Sequence, residues 1–544
     1  MLPALLALAL GLWGITREHS LWRDEAATWQ IAQRSVAQIW HMVDEVDIVH
    51  GLYYLLMHGV FEVFGVGLTA LRMPSVLAVA LAAAATAAAG RRLAGPWAGL
   101  GAGLALALIP NIQHYAQEGR SYALVTGAVA VATLLLVGAA DDTGVRGGPR
   151  AWGRWTGYTL AVLVAALLNW FSLFVLGAHA VTVFLARRRG GRPLLVRWTV
   201  AAAVAVAGAL PLVLASRAQA DQVSWIKPVA VSTLLGVAAM VLVSAVCARV
   251  PVWVPRQPGT NGARRAAEAD RISGTGTSAA NRGSQVSSEN RATATDQAPE
   301  ATTAKEDRIA ETASGAAPVP PAATPSSRPP LMTPASVGLP LLVVPQLGLL
   351  LASLLQPIYL DRYVLYTNVG FALLLGLAIG AAVRALPGRD AVLLAGVVAI
   401  AFAALLPVEL GLRRHTSRVD DVLRAAQEVA DRGRPGDGVV FIPAARRDTA
   451  LVSPSAFAGI DDLALAEDPA SSGTVKGVET TAERIRTAML AKSRILLVTD
   501  AGRVPPRTAP AREKLKLRVL ADHFRQVGVV ETGGRRVEVF EKKR

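Results

Sequence analysis

Acidic side chains are concentrated in one polar stretch near the start of the chain. Between Glu18 and His50 the acids are Glu18, Asp24, Glu25, Asp44, Glu45 and Asp47. An apolar segment precedes this stretch, and a long series of apolar segments follows it. Ionisable groups are costly to hold at the mouth of a bundle of membrane helices, so such a cluster is a candidate functional site. The alternative is an ordinary solvated loop, and the stretch taken alone does not decide between the two.

The composition indicates the class of protein. Of 544 residues, 52% are hydrophobic and only 17% are charged, and the mean hydropathy is +0.40. Repeated apolar runs of roughly 17 to 22 residues are each long enough to cross a bilayer core of about 30 Å. The net charge of +15 would suit a nucleic acid, but much of the excess lies in short loops, where Lys and Arg set membrane topology. The sequence therefore predicts a polytopic helical membrane protein and no nucleic-acid partner.

About eleven transmembrane helices are predicted from these runs. The first covers Met1 to Ile15 and is interpreted as a membrane helix, because a signal peptide would carry a basic n-region and a clear cleavage site. Gly51–Phe64 is short for a span and is predicted to be juxtamembrane or re-entrant. The other predicted spans are 70–89, 93–110, 121–139, two within 156–186, 198–215, 229–247, 339–355, 363–383 and 391–410.

The charges of the loops predict the topology. With the N-terminus in the cytoplasm, the loop 187–197, which carries several arginines and no acid, falls inside, as the positive-inside rule requires. The same parity places the acidic loop 16–50 outside, together with the polar stretches 111–120, 169–172, 216–228 and 356–362 and the C-terminal tail. We therefore expect a multi-pass protein of the cell membrane with an extracytoplasmic active site.

Two regions depart from the apolar pattern. Residues 255–335 are rich in Ala, Thr, Ser, Gly, Pro and charge, which predicts a disordered cytoplasmic insertion between the transmembrane parts 1–254 and 336–411. Residues 412–544 alternate amphipathic helices with short β-rich runs, which predicts a small extracytoplasmic α/β domain. That domain has no Gly-rich phosphate loop, so a structural or acceptor-binding role is expected for it.

On this topology, acids and arginines from separate loops share one membrane face. They are Asp24, Glu25, Asp44, Asp47, His50, Glu118, Arg120, Asp361 and Arg362. A carboxylate can accept the proton of an attacking hydroxyl, and arginines can bind a phosphate and stabilise its charge as a bond breaks. Nearby tyrosines could bind the same phosphate or stack on a sugar, with anchoring in the interfacial aromatic belt as the alternative; they are Tyr115, Tyr122, Tyr359 and Tyr363. The set suits transfer of a group away from a phosphate leaving group.

The order of these residues resembles a known group of membrane enzymes. The segment Arg23-Asp24-Glu25 after a first helix, followed by Asp47-x-x-His50-Gly51-Leu52-Tyr53-Tyr54, is similar to glycosyltransferases of the GT-C superfamily. More narrowly, it resembles the family 39, dolichyl-phosphate-mannose-mannosyltransferase-like group of bacterial enzymes. The segments 71–75, 114–124 and 359–363 are similar to further recurring segments, so the resemblance reaches residue 411 apart from the insertion. The sequence departs from the pattern after His50, where relatives often carry a His-Pro-Pro sequence.

The resemblance implies transfer of a sugar, with mannose favoured, from a polyprenyl-phosphate donor with inversion at the anomeric carbon. The implied acceptor is a hydroxyl of an envelope glycan, glycolipid or protein on the extracytoplasmic face. Asp24 would be the general base, and Glu25 would orient Asp24 or the acceptor. Arg120 and Arg362 would bind the lipid phosphate, with Glu118 positioning Arg120. The other expected substrate-binding residues are Asp47, His50, Tyr53, Tyr122 and Tyr363.

No cofactor is expected to be required. Asp44, Asp47 and His50 could bind a divalent cation through oxygen and imidazole ligands, and the enzymes of the superfamily differ in metal dependence. The single cysteine, Cys247, excludes both a disulfide framework and a cysteine-based metal site.

Other functions compete with the glycosyltransferase. A multi-pass lipid or polysaccharide transporter or flippase would place charged or Gly/Pro-broken sites inside several spans, in two corresponding halves. Here the charges gather at one mouth, and no internal repeat is evident. A membrane scaffold or sensor would work through its C-terminal domain, which carries no recognisable ligand motif. An enzyme that moves a different group from a lipid phosphate is the nearest chemical alternative.

Overall fold

The computed structural model describes residues 1–141, 149–219, 226–251, 331–386, 388–502 and 510–544. The predicted insertion 255–335 lies outside these ranges except for 331–335. There the structure differs from the prediction, because Pro334 already begins a helix. Thr333 and Ser336 form a capping box at this end, with Ser336 N donating to Thr333 Oγ1 at 3.2 Å and Thr333 N donating to Ser336 Oγ at 2.8 Å. These bonds satisfy amides that a helix start leaves unpaired.

The first 412 residues are helical wherever the structure describes regular elements. The helices are α1 (Leu2–Leu12), α2 (Arg23–Ala32), α3 (Val36–Glu45), α4 (Gly51–Phe64), α5 (Leu68–Ala94), α6 (Pro96–Leu108), α7 (Pro110–Ala116), α8 (Tyr122–Asp141), α9 (Pro149–Leu168), α10 (Phe174–Ala218), α11 (Val231–Ala248), α12 (Pro334–Leu355), α13 (Asn368–Arg384) and α14 (Asp390–Leu412). The acidic stretch is therefore folded into α2, α3 and a 3₁₀ turn, Ile48–His50, and is not an extended loop.

Within the described ranges, eight helices are long and apolar enough to cross a membrane. They are Leu68–Ala94, Tyr122–Ala140, Trp170–Arg187, Arg192–Ala218, Val231–Ala248, Pro334–Leu355, Asp361–Arg384 and Asp390–Leu412. The polytopic helical class is confirmed, although the predicted spans number eleven. Each of the other three coincides with a helix, but α1 and α6 are shorter apolar helices and α9 is not among the eight. Helix α6 stops early because Ile109 precedes Pro110, and a residue before proline is disfavoured in the helical region.

Helix α10 turns back on itself, which brings two predicted spans side by side. The Tyr158 hydroxyl lies 3.0 Å from His179 Nδ1 and accepts a hydrogen bond of 3.0 Å from Trp198 Nε1. Along a straight helix, positions 179 and 198 would lie about 28 Å apart, so one hydroxyl could not contact both. The two arms are the spans Trp170–Arg187 and Arg192–Ala218, and Pro193 stands near the start of the second.

The C-terminal region forms the predicted α/β domain. Its helices are α15 (Val422–Arg432), α16 (Asp448–Val452), α17 (Ala482–Leu490) and α18 (Ala511–His523). Its strands are β1 (Gly438–Ile442), β2 (Asp461–Asp462), β3 (Leu465–Glu467), β4 (Val478–Glu479), β5 (Arg494–Asp500), β6 (Phe524–Thr532) and β7 (Arg535–Lys542). In the described part of the domain, the main sheet has the order β2-β1-β5-β7-β6, with β1 parallel to β2 and β5 and with β7 antiparallel to its neighbours. Strands β3 and β4 form a separate antiparallel pair.

The central strands are covered on both faces. Val440 and Ile442 of β1 pack with α17 and α18, while Val439 and Phe441 pack with α15. Alternate residues of a strand point to opposite faces, so a strand covered on both sides has a continuous apolar sequence. For this reason the sequence predicts buried strands at Gly438–Ile442 and Arg494–Thr499.

Candidate active site

Asp24 lies in the first turn of α2, beside two arginines from distant parts of the chain. Its side chain keeps 24% of its surface exposed, and its Oδ2 lies 3.6 Å from Nη1 of Arg362. Arg120 Nη1 donates to the backbone carbonyl of Asp24 at 3.4 Å. The structure thus brings together the predicted base and both predicted phosphate ligands. An accessible carboxylate next to two guanidinium groups can serve a substrate that carries both a hydroxyl and a phosphate.

Glu25, the next residue, has the opposite environment. It is completely buried, Arg72 donates to both of its carboxylate oxygens at 2.8 Å, and Arg17 forms a further ion pair with it. The amide of Gly119 donates to Oε1 at 2.9 Å. Burial raises the pKa of Glu25, but the two arginines outweigh burial and hold that pKa at about 2. These contacts tie α2 to α5 and to the loop before α8, which favours a role in orienting Asp24 over contact with an acceptor.

Asp47, His50 and Arg120 form a chain of hydrogen bonds. His50 Nδ1 lies 2.6 Å from Asp47 Oδ1, and Arg120 Nη2 lies 3.0 Å from His50 Nε2. A guanidinium group can only donate, so Nε2 accepts and Nδ1 carries the proton that is donated to Asp47. Tyr54 also donates its hydroxyl hydrogen to Asp47. Asp47 and His50 therefore hold the Arg120 side chain beside Asp24.

Glu118 lies beside Arg418 and His114, and these contacts differ from the predicted one with Arg120. Its carboxylate is 3.5 Å from Arg418 Nε and 3.6 Å from His114 Nε2. The side chain is 1% exposed, and neither carboxylate oxygen has a hydrogen-bond partner among the described residues. Burial raises the pKa of Glu118 to about 7, and Arg418 offsets only part of that effect. The sequence alone does not indicate this link to the segment before the C-terminal domain.

The raised pKa of Glu118 predicts a specific dependence of stability on pH. A carboxyl group that holds its proton more tightly in the folded state favours folding at low pH, and this advantage is lost as pH rises from about 4.5 to about 7. Relative to the Glu118→Gln variant, the wild type is expected to lose stability across this window, by on the order of 3 kcal/mol. Thermal unfolding of both proteins in detergent from pH 4.5 to pH 8 measures the difference. Parallel curves for the two proteins would show that the Glu118 carboxyl is not perturbed.

Aromatic side chains flank Arg362 and line a cavity next to the arginines. The Arg362 guanidinium lies 5.6 Å from the ring centre of Tyr122 and 5.9 Å from that of Tyr363, within the range of cation–π attraction. Phe171 stacks on Tyr363 at 4.9 Å and on Trp170 at 4.1 Å. A cavity of about 310 Å³ opens beside them, with a lining that includes His50, Asn169, Trp170, Phe171, Gln356 and Tyr363.

The residues of this site differ in part from those predicted from the sequence. Trp170 and Phe171 lie in the predicted outside polar stretch 169–172 and are not among the predicted site residues, although an aromatic pair in such a stretch is a usable signal. Tyr53, a predicted substrate ligand, is completely buried, and its hydroxyl has no hydrogen-bond partner among the described residues. Arg17 and Arg72 were not assigned any role.

Among the described residues, the possible cation ligands Asp44, Asp47 and His50 do not form a cluster. Among the described residues, no group of three or more His, Cys, Asp or Glu side chains could hold a metal ion. Asp47 and His50 contact each other, but Asp44 lies on the exposed surface near the end of α3.

Comparison with known proteins identifies the fold. No protein-family model and no curated protein sequence matches the chain. Two crystal structures of ArnT from Cupriavidus metallidurans are similar to it over 99% of this chain and 97% of theirs, at 14% sequence identity. The structure bound to undecaprenyl phosphate gives a TM-score of 0.52, and the apo structure gives 0.56. The chain therefore has an ArnT-like fold with a C-terminal strand-containing domain and is a polytopic helical membrane protein.

Proposed function

We propose that this protein is an inverting glycosyltransferase that moves a sugar from a polyprenyl-phosphate donor to a hydroxyl acceptor. The observation that carries the proposal is the approach of two arginines to Asp24, Arg362 at the accessible carboxylate and Arg120 at the backbone carbonyl. The ArnT-like fold supports it, because one of the ArnT structures contains undecaprenyl phosphate. A phosphate leaving group and a hydroxyl nucleophile are the two groups that this set of side chains can serve.

The two arginines would bind the donor phosphate. Each guanidinium group offers planar pairs of donors that match phosphate oxygens. Arg120 is held in place by His50, and the Arg362 guanidinium lies near the rings of both Tyr122 and Tyr363, so both groups are oriented before the substrate binds. As the bond from the anomeric carbon to the phosphate oxygen breaks, its electron pair passes to that oxygen, and the two positive charges stabilise it.

Asp24 would act as the general base. The acceptor oxygen forms a bond to the anomeric carbon while its proton passes to the Asp24 carboxylate. The phosphate leaves from the opposite face of the sugar in the same displacement, and this geometry inverts the anomeric configuration. Trp170, Phe171 and Tyr363 border a cavity close to the arginines, which suits a sugar ring or a prenyl chain next to the phosphate.

The reaction is proposed to take place on the extracytoplasmic face. Helix α5 carries Arg72 beside Glu25 at its first end and Arg91 and Arg92 at its other end. The distance along the helix is about 28 Å, close to the thickness of the hydrocarbon core. The positive-inside rule assigns the end with Arg91 and Arg92 to the cytoplasm, which leaves Asp24 on the opposite side. The acceptor would then be a hydroxyl of an envelope glycan, glycolipid or protein.

A transfer assay tests the proposal. The purified protein is offered radiolabelled polyprenyl-phosphate-mannose, the donor favoured by the family resemblance, with a heat-treated membrane extract as the source of acceptors. Pentose, aminosugar and other hexose donors follow in parallel, and a reaction without protein is the control. Protein-dependent transfer from any of them supports the proposal and identifies the sugar. Absence of transfer from the whole set of donors would contradict it.

The transfer reaction is expected to continue without a divalent cation. The described residues offer no cluster that could hold a metal ion, and the two arginines can supply the positive charge at the phosphate. The initial rate in excess EDTA should stay within about twofold of the untreated rate, since the part of the chain that the structure describes holds no ligand set of the kind that metal sites need. A loss of rate that added Mg²⁺, Mn²⁺ or Zn²⁺ restores would contradict this expectation.

A further inference from the structure

The segment that leads into the C-terminal domain contacts the start of α2. The carboxylate of Asp420 accepts hydrogen bonds from the backbone amide of Arg23 at 3.0 Å and from its Nε at 2.9 Å. Arg535, from β7, donates to Asp420 Oδ2 from Nε at 3.1 Å and from Nη2 at 2.9 Å. The side chains of Asp420 and Arg535 are both completely buried. Asp420 therefore joins the sheet of the domain to the residue that directly precedes Asp24.

The contact with the Arg23 amide has a specific physical meaning. Arg23 is the first residue of α2, and its preceding residue, Trp22, provides no side-chain cap. The first amides of a helix have no partner within the helix and attract a negative charge. Asp420 supplies that charge from a different part of the chain. The neighbouring backbone is held as well, because Val422 N donates to Leu21 O at 2.7 Å.

The same segment also contacts the loop that carries Arg120. Arg418 Nη2 donates to the backbone carbonyl of His114 at 2.7 Å, and Arg418 Nε lies 3.5 Å from the Glu118 carboxylate. Residues 418 to 420 therefore contact both segments of the active site, one through Arg418 and the other through Asp420. These contacts add to the direct one between the two segments, in which the Gly119 amide donates to Glu25.

We propose that Asp420 is a positioning residue for Asp24, and that the C-terminal domain holds the catalytic geometry of the membrane region through it. The inference rests on the proposed function, in which Asp24 is the base. It assigns the domain a part in catalysis that does not require the domain to touch the substrate. A small misplacement of a base is costly, since about 1 Å can reduce a rate on the order of a hundredfold.

Asp448 provides the matched control. Like Asp420, Asp448 accepts hydrogen bonds from Arg535, at 2.7 Å from Nη1 to Oδ1 and at 2.8 Å from Nη2 to Oδ2. The acid that binds Arg23 is Asp420. Asp448→Asn therefore weakens the same buried ion cluster and the same domain without removing the cap on α2. A comparison of Asp420→Asn with Asp448→Asn separates positioning of α2 from general stability of the domain.

The experiment uses the full-length protein in detergent and two independent measurements. Steady-state kinetics should show that Asp420→Asn lowers kcat by about tenfold to a hundredfold, with the KM for the donor nearly unchanged and with a much smaller effect of Asp448→Asn. Hydrogen exchange should be faster in residues 23–32 of Asp420→Asn than in the wild type or in Asp448→Asn. Arg23→Gln is a second variant for the case in which Asp420→Asn folds poorly, because the Arg23 side chain is 34% exposed. It removes the hydrogen bond from the Arg23 side chain to Asp420 and leaves the one from the Arg23 amide. Combined with Asp420→Asn, it should add little further loss, because both remove one interaction.

Several results would overturn the inference. Wild-type kcat and wild-type exchange in Asp420→Asn would show that the contact does not position α2. Equal losses of kcat in Asp420→Asn and Asp448→Asn, without a local change in exchange, would show that domain stability alone is involved. If the wild type transfers no sugar from any donor, the proposed function fails, and hydrogen exchange still decides whether Asp420 holds α2.

Discussion

Replacing Asp24 by Asn is expected to lower the rate of sugar transfer by about a hundredfold or more, because a general base contributes about 10²–10⁴-fold. Asparagine has the same size as aspartate but cannot accept the acceptor's proton. The loss should appear in kcat, with the affinity for polyprenyl phosphate preserved, since Arg120 and Arg362 remain in place. Initial rates with labelled donor and a binding measurement with polyprenyl phosphate separate the two effects.

The control for this prediction is Glu45→Gln, which neutralises an exposed acid of the same polar stretch. It should retain wild-type activity, because Glu45 lies at the end of α3 and on the surface. The unfolding temperature of Asp24→Asn should also remain close to that of the wild type, since a partly exposed ion pair contributes at most about 1 kcal/mol. Transfer that survives in Asp24→Asn would assign the base to another carboxylate.

Replacing Glu25 by Gln is expected to destabilise the protein by about 3–5 kcal/mol, because it leaves a buried charge without its partner. Arg17 and Arg72 both pair with this carboxylate and are themselves completely buried. The measurement is the unfolding midpoint of Glu25→Gln against that of Asp24→Asn, which changes the neighbouring residue. A folded and wild-type-stable Glu25→Gln protein that lost activity as completely as Asp24→Asn would instead assign Glu25 to the chemistry.

The pKa of Glu25 also predicts how the stability difference between the wild type and Glu25→Gln changes with pH. The folded state holds that pKa at about 2, below its ordinary value of 4.5. A lowered carboxyl pKa stabilises the fold above the ordinary value, and the contribution is lost as pH falls from about 4.5 towards 2. The stability difference between the wild type and Glu25→Gln should therefore be complete at neutral pH and should shrink in acid.

The environments of Asp24 and Glu25 could be predicted from the sequence only in part. Adjacent residues of a helix point in directions about 100° apart, so two neighbouring acids cannot both face the same cleft. The sequence therefore indicates that Asp24 and Glu25 have different environments, but not which of the two faces the cleft. The answer depends on Arg17, Arg72 and the Gly119 amide, whose approach is set by tertiary packing.

Local patterns predicted most of the secondary structure. The apolar runs and the periodicity of residues 412–544 predict short strands and amphipathic helices, and the strand Gly438–Ile442 and the helix Ala482–Leu490 are examples of each. Contacts between distant segments could not be predicted in this way. The pairing of Arg23 with Asp420 joins residues almost 400 positions apart, and neither residue carries a local signal of the other. The same holds for Glu118 and Arg418, where the sequence suggested Arg120 as the partner.

The proposed displacement is tested by following both products of one reaction. Wild-type protein is given an anomerically defined polyprenyl-phosphate sugar and an acceptor, and the released polyprenyl phosphate and the anomeric configuration of the new glycoside are determined together. A single displacement in which Asp24 accepts the proton should release one polyprenyl phosphate for each sugar transferred and should invert the configuration. Retention of configuration, or transfer without release of polyprenyl phosphate, would contradict it.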